Sequence, residues 1–183
     1  MNKKICVSIG HGRSGKGIYD PGACFGKYEE FKIAREIGKY AAEELKCDLI
    51  NYEGNLTLAK RINLINSRKY DFVLEIHLNA GGGTGTEVYY YHGSPTGKKA
   101  ANAICENISR EFDVKNRGAK VRLNQYGKDY FGFIRQTKPC AILVETLFID
   151  SEKDLAKIKT AAGQKKCGKA IAEALKKTFS VEN

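Results

Sequence analysis

The chain has 183 residues, 42% of them hydrophobic and 28% charged, a length and apolar content that suit one globular domain. No apolar run approaches the ~20 residues needed to cross a bilayer, so no membrane-spanning helix is expected. The formal charge of +10 favours a polyanionic partner, yet the basic residues are scattered, without the arginine-rich run or interleaved aromatics of a nucleic-acid module.

Met1-Asn2-Lys3-Lys4 leads straight into a strand-like run rather than a signal peptide. The run from Lys4 to Ile9 ends in Gly10-His11-Gly12. The stretch to Gly26 is rich in glycine and holds Asp20-Pro21, which predicts a strand followed by a long loop. From Glu29 onward Ile33, Ile37, Tyr40, Ala41 and Leu45 recur at intervals of three and four, the mark of an amphipathic helix ending near Lys46. Cys47 to Tyr52 reads as a second strand. A second helical face follows in Leu58, Ile62 and Ile65, with a cap at Asn55 or Thr57.

Phe72 to Leu78 reads as an apolar strand with Glu75 and His77 on one side and Leu74, Ile76 and Leu78 on the other. After the turn at Gly81-Gly82-Gly83, Thr86 to Tyr91 is predicted as its antiparallel neighbour. A helix over 97–112 comes next, and Tyr130 to Arg135 reads as a short strand. Pro139 introduces the buried strand Cys140 to Glu145, and helices over 151–158 and 162–179 close the chain. Strands alternating with helices predict a three-layer α/β/α fold, a mostly parallel twisted sheet with helices on both faces. No internal repeat or Pro/Ser-rich linker divides it, so 1–183 reads as a single domain.

The six cysteines stand singly, with no C-x-x-C pair, and read as reduced packing residues. Gly10-His-Gly-Arg-Ser-Gly15-Lys16 matches a phosphate-loop pattern up to its last position. There Gly17 replaces the hydroxyl that would hold magnesium, and the following residues continue a loop rather than open a helix. Nucleotide binding is therefore set aside.

Of the three histidines, His11 and His77 sit at the carboxyl ends of predicted inner strands and His92 reads as a surface residue. Ligands of such sheets bind at those strand ends, and the ends of the first, third and last strands bring His11, His77 and Glu145 to one rim. Two imidazoles and a carboxylate are a standard catalytic zinc set. Either Glu29 or Glu30, opening the first helix, could supply the carboxylate. Glu145 ends an apolar run where a bare carboxylate is costly, which suits a proton-transfer group. Glu75 and Glu87 read as supporting carboxylates.

Four segments in order carry a family resemblance: Val7-Ser-Ile-Gly-His11-Gly, Glu75-Ile-His77-Leu-Asn-Ala, Gly85-Thr-Glu87-Val-Tyr-Tyr-Tyr and Pro139-Cys-Ala-Ile-Leu-Val-Glu145-Thr-Leu-Phe. Together they resemble the zinc-dependent N-acetylmuramoyl-L-alanine amidases, in particular the catalytic domains of clostridial phage endolysins. The resemblance implies that His11, Glu30 and His77 hold Zn2+ and that Glu145 is the catalytic acid and base. It favours Glu30 over Glu29 because the positions 3, 7 and 11 residues later, Ile33, Ile37 and Ala41, are apolar. Asn79, Tyr130 and Arg135 fall where substrate contacts are expected. The implied partner is bacterial peptidoglycan, with anionic wall polymers as a further target of the positive charge.

The departures are Leu147, where the family often has glycine, and a loop in which Asp20-Pro-Gly-Ala23 only approximates the usual D-x-G-A spacing. Endolysins of this kind commonly carry a C-terminal wall-binding module, which is not expected within residues 1–183. Without a signal peptide, the expected course is synthesis in the host cytoplasm and action on the wall after release, ending in host lysis. The alternatives are a zinc carboxypeptidase on the same scaffold and a wall-binding module that has lost catalysis.

Overall fold

The computed structural model describes residues 3–179. Met1, Asn2 and residues 180–183, the ends of the predicted 1–183 domain, lie outside the described residues. Six strands form the central sheet: β1 (Ile5–Ile9), β6 (Asp48–Ile50), β7 (Phe72–Asn79), β8 (Thr86–Tyr90), β9 (Asn116–Lys120) and β10 (Cys140–Phe148). Their order is β6-β1-β7-β10-β8-β9, with β6, β1, β7 and β10 mutually parallel and β8 antiparallel to β10. Between β1 and the first helix lie two small ribbons, β2 (Gly12–Arg13) with β3 (Tyr19–Asp20) and β4 (Cys24–Phe25) with β5 (Tyr28–Glu29). The stretch read as one long loop is thus folded back on itself twice.

Among the described residues, six helices cover the sheet: α1 (Glu30–Leu45), α2 (Leu58–Ser67), α3 (Pro95–Phe112), α4 (Gly132–Gln136), α5 (Glu152–Ile158) and α6 (Ala161–Phe179). Strand residues alternate between the faces. Val7, Ile9, Leu74, Ile76, Ile142 and Val144 meet α1, α3 and α6 in the main core. Cys6, Val73 and Ala141 meet Ile62, Ile65 and Phe133 of α2 and α4 in a smaller one. This is the predicted three-layer fold. The helices of the smaller layer are short, and the polar strand residues Ser8, Glu75, His77 and Glu145 belong to that face, next in alternation to the apolar set.

Three local expectations are corrected. β8 pairs with β10 rather than with β7, because both edges of β7 are already taken by β1 and β10. The 130–135 stretch holds helix α4 rather than a strand: the Arg135 amide donates to the Phe131 carbonyl, closing a short helical turn that buries Phe133 and Ile134 together. β9 escaped notice because Asn116-Arg-Gly-Ala-Lys is polar and contains Gly118 in the left-handed region, at φ 80°. Of the cysteines, Cys6, Cys105 and Cys167 are buried packing residues, whereas Cys24 is exposed. The α2 cap is Thr57, whose hydroxyl accepts from the Lys60 amide. Among the described residues, no helix is long and apolar enough to cross a membrane.

Candidate metal centre

β1, β7 and β10 end side by side, so the parallel register places Glu145 directly beside His77, and the antiparallel one places Glu87 beside Glu145. Gly10, one residue beyond the paired end of β1, completes this row. A Cβ there would lie 2.1 Å from the His77 ring, so the glycine is what lets the imidazole lie across the strand end. His11 follows at φ 56°, a left-handed conformation unfavourable for a side chain with a Cβ. Its carbonyl is held there by the Asn51 amide at 2.9 Å and Arg61 Nη1 at 3.2 Å.

The carboxylate comes from the first residue of α1. Glu30 is 4% exposed, and its Oε1 lies 2.9 Å from His77 Nδ1 and 3.2 Å from His11 Nε2. The amides of Ala23 and Leu78 also donate to Glu30. Glu29 instead turns outward to the Tyr19 hydroxyl and to Lys32. Gly22 lets the backbone pass close by, since a Cβ there would lie 2.5 Å from Glu30 Oε2. His11, Glu30 and His77 offer donor atoms all within 4.8 Å of one another, and the three residues could hold a metal ion. A nitrogen, nitrogen, oxygen set of this kind fits a divalent ion that leaves a position open.

Electrostatics support the same reading. Burial opposes charge on all three residues, but mutual hydrogen bonds and charges prevail: Glu30 is held far below the usual carboxylate range, and His11 and His77 are raised above the usual imidazole value. The cluster thus carries concentrated opposite charge where a cation would replace protons. Glu145 differs. Burial pushes it up to about 7, with the charges of Glu30 and Glu87 adding to the rise and His77 opposing it. Its buried Oε2 has no hydrogen-bond partner, an orphaned acceptor of the kind seen where a proton is to be carried.

Beyond Glu145, Glu87 is buried and bound by Asn79, Tyr89, Arg117 and Lys120. Two hollows of about 590 and 380 Å³ adjoin at the site, sharing His11, His77, Phe131 and Leu143. Phe131 is flanked by Tyr89 and Tyr130, at ring separations of 4.7 and 5.2 Å. Asn79 lines the smaller hollow. Tyr130 lies outside both, exposed beneath the Arg122 guanidinium at 3.9 Å. Arg135 also lies outside them, its Nη1 donating to the Asp129 and Tyr130 carbonyls. His92 is exposed.

Two partners of the site escaped the sequence reading. Asp20, whose Oδ2 is 3.0 Å from His11 Nδ1, was visible only as part of a loop motif. Arg61 had a usable signal, a charge on the same helical face as Leu58, Ile62 and Ile65.

Residues 5–177 match the family model described as N-acetylmuramoyl-L-alanine amidase. The N-acetylmuramoyl-L-alanine amidase CwlM of Bacillus licheniformis is 30% identical over 192 residues, spanning 97% of this chain and 69% of that protein. Among solved structures, Cwp6 from Clostridium difficile superposes with a TM-score of 0.89 at 31% identity, over 98% of this chain and 30% of the Cwp6 chain. The chain therefore corresponds to under a third of that relative. The catalytic domain of CD27L endolysin, described as targeting Clostridia difficile, superposes at 0.75 with 27% identity, over 94% of this chain and 96% of that domain.

Proposed function

The chain belongs to the N-acetylmuramoyl-L-alanine amidase family, and from that premise we propose that it is a zinc hydrolase of the amide joining N-acetylmuramic acid to L-alanine in peptidoglycan. The observation that carries the proposal is the juxtaposition of the His11, Glu30 and His77 donors with Glu145, whose inner carboxylate oxygen is buried and unpartnered. His11, Glu30 and His77 would hold the zinc. When bound, zinc polarises the scissile carbonyl and acidifies water.

The chain's own residues supply the rest. Glu145, poised near neutrality, accepts a proton from the attacking water and returns it to the departing amine nitrogen, so that water and amide become a carboxylate-bearing sugar and a free peptide. Phe131 and Leu143 form the apolar wall of the site, which strengthens the electrostatic interactions beside it. Asn79 is held by Glu87 at 2.9 Å at the rim, where it meets the substrate. Tyr130 extends the aromatic wall outward to the same substrate, and Arg135 acts on it by holding the Tyr130 loop.

In this reading residues 1–183 act as one catalytic domain. The net charge of +10 draws it to the anionic wall polymers around its substrate. Likeness to an endolysin catalytic domain supports a bacteriolytic role, with the wall reached after release from the cell. The test is to incubate the protein with clostridial peptidoglycan, with and without a zinc chelator, and identify new chain ends by mass spectrometry. Peptides beginning with L-alanine, lost on chelation and restored by zinc, are the expected products. Released single amino acids would instead identify a carboxypeptidase, and new reducing sugar ends would refute amide cleavage.

A further inference from the structure

Behind the two imidazoles lies a buried polar relay, and Arg61 is its centre. Arg61 and Glu75 are 3% and 1% exposed. They form an ion pair at 3.0 Å beneath the sheet face. Glu75 Oε1 also accepts from the Ser8 hydroxyl at 3.2 Å, while its Oε2 lies 3.1 Å from His77 Nε2. Arg61 Nη1 reaches the other way, to the carbonyls of His11 and Leu56. One guanidinium thus braces the carboxylate behind one histidine and the main chain of the other.

Burying this pair without a further task is poor economy, because desolvating two charges offsets most of their attraction and an apolar pair of similar size serves stability as well. The hydrogen bonds show a task. Glu75 occupies Nε2 of His77 and leaves Nδ1 facing Glu30 at 2.9 Å. Asp20 occupies Nδ1 of His11 and leaves Nε2 facing Glu30 at 3.2 Å. A ring nitrogen that donates to an outer carboxylate fixes the tautomer and frees the opposite nitrogen for a metal.

We propose that Arg61 and Glu75, with Asp20, are positioning residues that present opposite ring nitrogens of the two histidines, Nδ1 of His77 and Nε2 of His11, to the metal. The proposal rests on the metal-site reading above. It assigns to Glu75 and Arg61 a part in metal retention rather than in contact with substrate.

The test measures zinc affinity by competition with a chromophoric chelator, and imidazole tautomers by nitrogen-proton correlation NMR of the zinc-loaded protein. In the wild type the expected protons are on Nε2 of His77 and Nδ1 of His11. Glu75→Gln keeps shape and neutral hydrogen bonding, and the double variant Arg61→Met with Glu75→Gln leaves no unpaired charge. Both are expected to retain near-UV circular dichroism while binding zinc about 10- to 100-fold more weakly. Unchanged affinity in both folded variants, or the opposite tautomers in the wild type, would overturn the proposal. So would loss of fold in both variants, because the pair would then be a folding element. A wild type that binds no zinc would instead refute the metal-site reading itself.

Discussion

Replacing Glu145 by Gln separates the catalytic from the structural consequences of one carboxylate. In the metal-stripped protein, burial raises its pKa from 4.5 to about 7. A folded-state value above the unfolded one means that this group's contribution to stability is greatest at low pH. It declines as pH rises from 4.5, where the unfolded chain ionises, to about 7, where the folded chain must follow. At about 1.4 kcal/mol per pH unit, this carboxyl costs the wild type at most about 3.5 kcal/mol across that window, and a permanently neutral amide costs none of it. Urea unfolding of both metal-stripped proteins, at about pH 4 and about pH 8, should therefore show near-equal stability in acid and a more stable variant in base.

Activity should move the opposite way. As the proposed proton carrier, Glu145 should on replacement cost about 10²- to 10⁴-fold in turnover, or about 3 to 5 kcal/mol of transition-state stabilisation. Zinc affinity should be retained, because Glu145 is not among the three donors. Turnover close to wild type, or a stability difference that does not grow with pH, would refute the reasoning about this residue.

Glu87 has the reverse pH signature: burial opposes its charge, but Lys120, Arg117 and Tyr89 outweigh that and hold it down to about 2. Its stabilisation is present above 4.5 and is lost as pH falls towards about 2, so Glu87→Gln should flatten the acid limb of a plot of Tm against pH. Gly85 stands at φ 96° and a Cβ there would lie 2.1 Å from the Lys115 carbonyl oxygen; Gly85→Ala should cost about 2 to 4 kcal/mol in urea unfolding, and a neutral result would show that β8 and β9 pair otherwise. Zinc at about a hundred times its Kd should stabilise the wild type by about 2.7 kcal/mol. In His77→Ala the same addition should leave Tm unchanged, and a Tm rise equal to wild type would remove His77 from the ligand set.

Much of the fold and the heart of the site are written in local pattern. The three-and-four spacing of Ile33, Ile37 and Ala41 determines the buried face of α1, and the run from Ala141 to Val144 has no stable place except the inside of a sheet. Parallel strands alternating with helices then bring His11, His77 and Glu145 to one rim, because the register sets Glu145 beside His77, and His11 lies just past the end of the neighbouring β1. Tertiary structure decided what depends on partners distant in the chain. Which strand took the free edge of β10, why Phe133 and Ile134 turn inward together, and which acidic residue faces the histidines are questions of neighbours rather than of period. The relay from Asp20 to His11 and from Arg61 through Glu75 to His77 was hidden for the same reason. A charged side chain carries no periodicity of its own, and only its buried partner, 14 residues away for Arg61 and Glu75, reveals what it holds in place.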